Sequence, residues 1–424
     1  MTTQLERRVL LVGICLFAVA AVVGCGAQYA GPAQSHGDSA VRTEGTLTPT
    51  PGRSIVLFVA GARPEARRAA VAAAGGQALL DLDLVNGLAA QLPEAAAQKL
   101  ERRADVVAVV PDYLREVNAK PAGVGGGKPG NGGGTLPPQT LEWNIDHIDA
   151  EVAQANGISG LGVKLAIIDT GLAKGNADLA VAGGYNATGA GKPTDWVDKY
   201  GHGTHVAGIA AAADNATGVV GVAPGASLYA LRVMDRGGFI YDSYIVNALG
   251  WCVSNGIDVA NMSLGGPQYS SALKDACDSA AANGIVLVAS SGNGGSANNI
   301  GYPAAFDSVI AVGATDASDQ LALFSDYGPQ QELVAPGVNI RSDCTGSLDG
   351  SIYDGDGAVN GFAILSGTSM SAPHVAGAAA LALQAGYPDA RAILQSTAVD
   401  LGDSGRDDLY GFGLVDAQGA AGVP

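Results

Sequence analysis

Gly367-Thr-Ser-Met-Ser-Ala-Pro-His-Val-Ala-Gly377 sets a serine behind a Gly-Thr step and ahead of an Ala-rich run. Glycine permits a tight approach and the alanines carry a helix. Ser369 is therefore expected at a helix N-terminus, where backbone N–H groups and the positive dipole end face outward. Pro373 is expected in the first turn, which needs no amide hydrogen. Two upstream stretches complete a chemistry: Ala166-Ile-Ile-Asp-Thr-Gly171 and Gly201-His-Gly-Thr-His-Val-Ala-Gly208. In chain order they supply Asp169, His202 and Ser369. A serine hydroxyl is a weak nucleophile until a base takes its proton. An imidazole can do so, and a buried carboxylate fixes its tautomer and stabilises its cation. The order Asp, His, Ser excludes the α/β-hydrolase arrangement, which runs Ser, Asp, His.

From Gln139 onward, apolar runs at 163–168, 227–233, 259–263, 285–289 and 309–312 alternate with amphipathic helices. Their near-continuous hydrophobicity predicts an α/β fold of three layers, with a mostly parallel central sheet covered by helices on both faces. Active sites in such sheets lie at the carboxyl ends of the strands. Asp169 directly follows the first strand. Asn293 follows the 285–289 strand through Ser290-Ser291-Gly292, and a neutral amide at that turn is suited to donate to a developing oxyanion.

The stretches around Asp169, His202, Asn293 and Ser369 resemble those of the subtilisin-like serine proteases, from about Gln139 to Ala421. The resemblance implies a catalytic triad of Asp169, His202 and Ser369 with Asn293 as oxyanion donor, and an endopeptidase acting on protein or peptide substrates. It leaves His205 and His374 as helix-packing residues. Asn261-Met-Ser263-Leu264-Gly265-Gly266 resembles the family's edge segment that pairs with a bound peptide. Ser290, Ser291, Gly292 and Gly301 then flank the pocket for the residue before the scissile bond. Gly301 leaves room and no charge there, so large apolar residues are expected. A structural Ca2+ site is implied by Gln139, Asp178 and Asn215 with the carbonyls of Ala213, Thr217 and Val219, an all-oxygen donor set. The rival reading of these residues is ordinary loop polars.

Residues 54–118 follow a β-α-β-β-α-β order, a small ferredoxin-like α+β unit. This unit resembles the family's inhibitory propeptide, which implies a zymogen that processes itself, with the chain's own prodomain as folding template and inhibitor. The Gly/Pro-rich 119–138 segment is a linker open to cleavage. The peptidase domain is expected over 139–424. The 343–360 segment carries Asp343, Asp349, Asp354 and Asp356 and is expected as a solvated acidic loop.

Arg7-Arg8 followed by an apolar run at 9–23 predicts an export signal over 1–25, too short for a spanning helix. Val22-Val-Gly-Cys25 also resembles a bacterial lipobox, so lipid-anchored and freely secreted forms both stay open. Residues 26–53 form a polar spacer. Cys252, Cys277 and Cys344 remain in the body, with a Cys252–Cys277 bridge expected. A formal net charge of −17 disfavours nucleic acid and anionic lipid surfaces. Any membrane contact runs through the signal or lipid anchor, and a monomer is expected. Two rivals stand: a metal pair of His202 and His205, and a pseudoprotease that binds peptides without cutting them. The first lacks further ligands at useful spacing, and the second requires a missing catalytic group.

Overall fold

The computed structural model describes residues 50–117, 138–345 and 361–424. The expected export signal with Cys25, most of the spacer and linker, and the acidic positions Asp349, Asp354 and Asp356 lie outside the described residues.

The amino-terminal unit consists of β1 (Arg53–Phe58), α1 (Pro64–Ala74), β2 (Gln77–Leu82), β3 (Gly87–Gln91), α2 (Glu94–Glu101) and β4 (Val106–Pro111). Its strands order as β2-β3-β1-β4, with antiparallel pairing throughout. Period-two alternation along β1 explains the packing. Val56 and Phe58 join Val71, Leu88 and Leu100 in the unit's own core. Ile55 and Leu57 face the opposite way and share a cluster with Ile245, Leu249 and Leu273 of the larger unit. Each large apolar side chain so buried is worth about 1.5–3 kcal/mol, so the two units hold each other firmly. One further strand, β5 (Leu114–Val117), leaves this unit and runs into the larger one.

The larger unit begins with two short helices, α3 (Trp143–Asp146) and α4 (Ala150–Ala155). It continues through β6 (Lys164–Asp169), β7 (Val181–Asn186), α5 (His202–Ala211), β8 (Ser227–Arg232) and β9 (Ile240–Tyr241). Then follow α6 (Asp242–Asn255), β10 (Val259–Met262), β11 (Leu264–Gly265), α7 (Ser271–Ala282), β12 (Val286–Ser290), β13 (Ile310–Thr315) and β14 (Leu333–Pro336). The hairpin β15 (Ile340–Asp343) and β16 (Phe362–Leu365) precedes α8 (Thr368–Gln384) and α9 (Ala390–Thr397). A seven-stranded sheet orders as β14-β13-β12-β10-β6-β8-β7, and its ladders are parallel. Leu165 and Ile167 of β6 face α5 and α8. Ala166 and Ile168 face α6 and α7. The three layers expected from the apolar runs are present. Strands β7 and β14 escaped the sequence reading because Val-Ala-Gly-Gly-Tyr-Asn and a four-residue run carry little strand signal.

Helices α5 and α8 approach closely because Gly377 stands at their contact. A Cβ there would come 2.6 Å from Val222 Cβ and 3.1 Å from the Ala210 carbonyl oxygen. Pro373 lies inside α8, beyond the first turn in which it was expected. Cys252 and Cys277 are not bridged. They sit on the packed helices α6 and α7 as fully buried small apolar groups, and burial pushes both thiols up. Asp343 is not a solvated loop residue either. It ends β15 fully buried, accepts from Asn176 Nδ2 at 2.9 Å, and has its carboxyl pushed up to about 7 by burial.

Candidate active site

The sequence motifs meet at the carboxyl ends of the parallel strands. Asp169 is the last residue of β6, and its carboxylate is tied by the Thr170 N–H to Oδ1 at 2.6 Å. His202 opens α5 and directs Nδ1 at both carboxylate oxygens, 2.8 and 3.0 Å away. That contact places the Nδ1 proton on the Asp169 side and leaves Nε2 as the basic nitrogen. Nε2 is buried with no partner among the described residues. Gly203 makes the approach of α5 to β6 feasible, since a Cβ there would fall 2.2 Å from the Gly171 carbonyl oxygen.

A residue absent from the sequence reading fixes this turn. Asp198, 3% exposed, accepts on Oδ1 from Tyr200 N and Gly201 N, each at 2.8 Å, and from Thr170 Oγ1 at 3.0 Å. On Oδ2 it accepts from Thr204 N and Thr204 Oγ1. The chain entering α5 is thereby tied to the turn after β6. The local signal was an Asp three residues before Gly201, an Asx-turn pattern.

Ser369 is the second residue of α8 and is fully buried. Its Oγ donates to the Ser263 carbonyl at 3.0 Å, and Ser263 Oγ donates to the Ser369 carbonyl at 2.8 Å. Pro373 accounts for the second bond. Lying four residues on, it has no N–H to give the Ser369 carbonyl, which is left for Ser263. Asn261 Nδ2 supports the arrangement by donating to Ser263 Oγ at 2.9 Å.

Asn293 lies beyond β12. Its Oδ1 accepts from Thr368 N and Thr368 Oγ1, both at 3.0 Å, while Thr368 Oγ1 accepts from Gly292 N at 3.2 Å. With the carbonyl end of the amide occupied, the Nδ2 donors turn away from Thr368.

Leu264 and Gly265 form β11, which pairs antiparallel with β5 in the register Leu264↔Val117 and Gly265↔Glu116. On its other edge β5 pairs with β9, Leu114 opposite Tyr241 and Arg115 opposite Ile240. The amino-terminal unit thus supplies the central strand of a three-stranded sheet whose outer strands belong to the larger unit. Arg115 makes a buried two-pronged pair with Asp242, at 2.6 and 2.9 Å. Asp112 accepts from Ser243 N and Ser243 Oγ at the start of α6 and from Arg53 Nε.

Ser290 and Ser291 are buried at the end of β12, and the Ser291 carbonyl accepts from Gly301 N at 2.9 Å. Tyr302 and Gly266 exchange backbone hydrogen bonds, so the 290–292 and 301–303 segments are held beside β11. Asp326, buried and outside the segments singled out in the sequence, braces this loop by accepting from Gly294 N, Ser296 N and Asn299 Nδ2.

The other two histidines of these motifs are engaged elsewhere. His205 Nε2 donates to the Ile340 and Ala363 carbonyls at 3.1 and 3.0 Å. His374 Nδ1 donates to the Met370 carbonyl at 2.8 Å and Nε2 accepts from Asn144 Nδ2 at 2.8 Å. Burial pushes these imidazoles down to about 3 and about 4, so both are neutral packing groups. His202 and His205 point to different partners, which removes the metal-pair reading.

The side chains named for a cation do gather. Gln139 Oε1 accepts from Asn215 N and Ala216 N, Asn215 Nδ2 donates to Asp178 Oδ1 at 3.0 Å, and Val219 N donates to Asp178 Oδ2. The backbone of Gln139 and Thr140 is joined to Ala216 and Gly218. Among the described residues no three His, Cys, Asp or Glu side chains converge as a metal group. The set instead consists of one carboxylate plus amide and carbonyl oxygens, a donor chemistry that suits a hard cation. Burial raises the Asp178 carboxyl.

Comparison with known proteins agrees with this geometry. The model of the subtilase family matches residues 160–413, and that of peptidase inhibitor I9 matches residues 82–118. Subtilisin DY of Bacillus licheniformis is 48% identical over 292 residues, which cover 67% of this chain and 99% of that protein. Subtilisin E of Bacillus subtilis (strain 168) is 40% identical over 355 residues, covering 82% and 84% respectively. Among solved structures, fervidolysin from Fervidobacterium pennivorans, described as a keratinolytic enzyme related to subtilisin, matches with a TM-score of 0.74 and 29% identity. That match covers 90% of this chain and 62% of the fervidolysin chain. On the fold, the convergence of the motifs and these matches, the chain belongs to the subtilase family of serine endopeptidases and carries an I9-type propeptide domain.

Proposed function

We propose that Ser369, His202 and Asp169 hydrolyse peptide bonds through an acyl-enzyme, with the Asn293 amide and the Ser369 backbone N–H receiving the oxyanion. The observation that carries the reading is the His202 ring, held through Nδ1 on Asp169 with Nε2 unpartnered among the described residues. When substrate enters, the Ser369 hydroxyl turns from the Ser263 carbonyl to Nε2, an adjustment typical of catalytic hydrogen bonds that tighten only with substrate bound. Nε2 takes the proton as Oγ bonds to the scissile carbonyl carbon, and the imidazolium then gives it to the leaving amine as the C–N bond breaks. Water repeats the cycle on the ester and frees Ser369. Thr368 holds Asn293 with its donors outward, so the oxyanion meets a preorganised dipole.

Substrate backbone is read by β11 and β9, the edges that β5 occupies in this chain. Ser290, Ser291, Gly292 and Gly301, none of them charged, flank the pocket for a large apolar residue before the scissile bond. The 54–118 unit serves as an inhibitory prosegment, and self-cleavage within 119–138 starts its release. Export through residues 1–25 delivers the enzyme outside the cytoplasm, freely or tethered at Cys25. Ca2+ held by Asp178, the amide oxygens of Gln139 and Asn215, and the carbonyls of Ala213, Thr217 and Val219 supplies positive charge between the 138–140 segment and its neighbouring loop.

A serine-directed phosphonate tests the central assignment. Wild type freed of its prosegment is expected to gain one covalent adduct on Ser369, and Ser369→Ala none. Equal labelling of both proteins would remove Ser369 as nucleophile.

A further inference from the structure

A cavity of about 320 Å³ opens beside the Asp169–His202 pair. Thr170 and Tyr200, neighbours in sequence of Asp169 and His202, form part of its wall. Arg232 lines it from the adjacent strand, opposite Asp169 in the β6–β8 ladder. Met234, also in the wall, bridges back to Ile240 of β9, the strand that pairs with β5. One short hairpin therefore forms both a wall of the cavity and an edge of the groove, and a peptide in the groove passes the cavity mouth.

The charge of this wall runs against that of the molecule. The chain carries a formal net charge of −17, and only ten Lys and Arg residues lie in 139–424. Three of them, Lys199, Arg232 and Arg236, line this cavity. Two carboxylates stand with them: Asp195, which reaches both arginines at long ion-pair distance, and Asp235, itself in the wall. Asp195 stands 3.8 Å from Arg232 and 3.9 Å from Arg236. Asp235 uses Oδ1 for Gly237 N and Phe239 N and has Oδ2 3.5 Å from the Tyr244 hydroxyl. Asp169 and Asp198 are buried in the hydrogen bonds already described. Arg232 itself is 5% exposed, and its Nε has no hydrogen-bond partner among the described residues. A buried guanidinium with an unmet donor at an open cavity is matched by a carboxylate, whose two oxygens fit its planar fork.

We infer that this cavity is a specificity subsite for an acidic side chain, glutamate above all, on the amino side of the scissile bond. The methylenes of the glutamate lie on Met234, while its carboxylate meets Arg232 and Arg236. The inference rests on the peptidase reading above and adds a substrate class to it.

Matched fluorogenic peptides that differ only in Glu, Gln or Lys, at each of four positions before the scissile bond, test it on the mature enzyme. At one position Glu is expected to exceed Gln in kcat/KM by about two- to fivefold at low ionic strength, the size of a solvent-exposed charge pair. The ratio shrinks in about 0.5 M salt, where the Debye length is only a few ångströms. Arg236→Glu, at a side chain 86% exposed and so harmless to folding, is expected to turn the ratio below one and favour Lys. A Glu/Gln ratio at or below one at all four positions, or one that Arg236→Glu leaves unmoved, overturns the subsite. Failure of the wild type to cut any of the peptides, Gln forms included, would instead overturn the peptidase reading on which it rests.

Discussion

Ser263 and Ser369 exchange side chain for main chain in both directions: each hydroxyl donates to the other residue's carbonyl, at 2.8 and 3.0 Å. The exchange joins the turn after β10 to the start of α8, and it exists because Pro373 leaves the Ser369 carbonyl without its helical donor. Ser263→Ala removes the bond that fixes the start of α8 while sparing the backbone proposed to pair with substrate. A net hydrogen bond is worth about 0.5–1.5 kcal/mol, so kcat is expected to fall by up to about tenfold. Steady-state kinetics check this, since KM should change little. A change confined to KM would assign Ser263 to binding alone.

Asn293→Leu deletes the donor proposed for the oxyanion. The expected loss in kcat is about 10²–10³-fold with nearly unchanged KM, the size of the effect established for the oxyanion asparagine of subtilisin itself. Thr368→Val keeps the Asn293 amide but removes the hydroxyl that orients it, and a smaller loss in kcat is expected. If the Thr368 variant matches wild type, orientation of Asn293 by Thr368 has no catalytic weight.

The two buried histidines should withdraw stability as the pH drops below about 6.5, a loss that the raised Asp343 carboxyl partly opposes. The folded chain holds His205 and His374 neutral, with values pushed down to about 3 and about 4. The unfolded chain regains the ordinary histidine value of 6.5 and binds protons that the folded chain refuses. Their contribution is complete above that pH and lost below it, by up to about 1.4 kcal/mol per pH unit for each group. Urea midpoints between pH 7 and 4.5 on Ser369→Ala protein, which cannot digest itself, measure the slope. His374→Gln should make it shallower, and an equal slope in the two proteins would contradict the assignment.

Removal of Ca2+ by chelation is expected to lower the thermal midpoint. A ligand at a hundredfold excess over its Kd stabilises by about 2.7 kcal/mol. In Asp178→Asn the midpoint should no longer respond to added Ca2+. A full response in that variant would place the ion elsewhere.

Much of the fold and site was legible because the deciding signals were local. Strands β6, β8, β10, β12 and β13 announced themselves as apolar runs, and Asp169, His202, Asn293 and Ser369 stood in distinctive neighbourhoods. What escaped depends on contacts between distant segments. Asp198 looks like any loop aspartate until Thr170 and Thr204 fold onto it, and Asp326 gains its place only when the loop after Asn293 wraps around it. The Cys252–Cys277 expectation failed because sequence says nothing of which thiols face each other, and two packed helices use both as packing groups. Asp343 read as solvated because acidic neighbours followed it in sequence, whereas the β15–β16 hairpin draws it inward.

Ser369 is expected to cut peptide bonds, its own chain's first. Intact mass spectrometry of purified wild type and Ser369→Ala, followed over time with casein present, measures it directly. The wild type is expected to lose its amino-terminal segment by a cut between residues 118 and 138 and then to digest casein, while Ser369→Ala stays whole. A pure Ser369→Ala precursor that still processes itself would contradict the assignment.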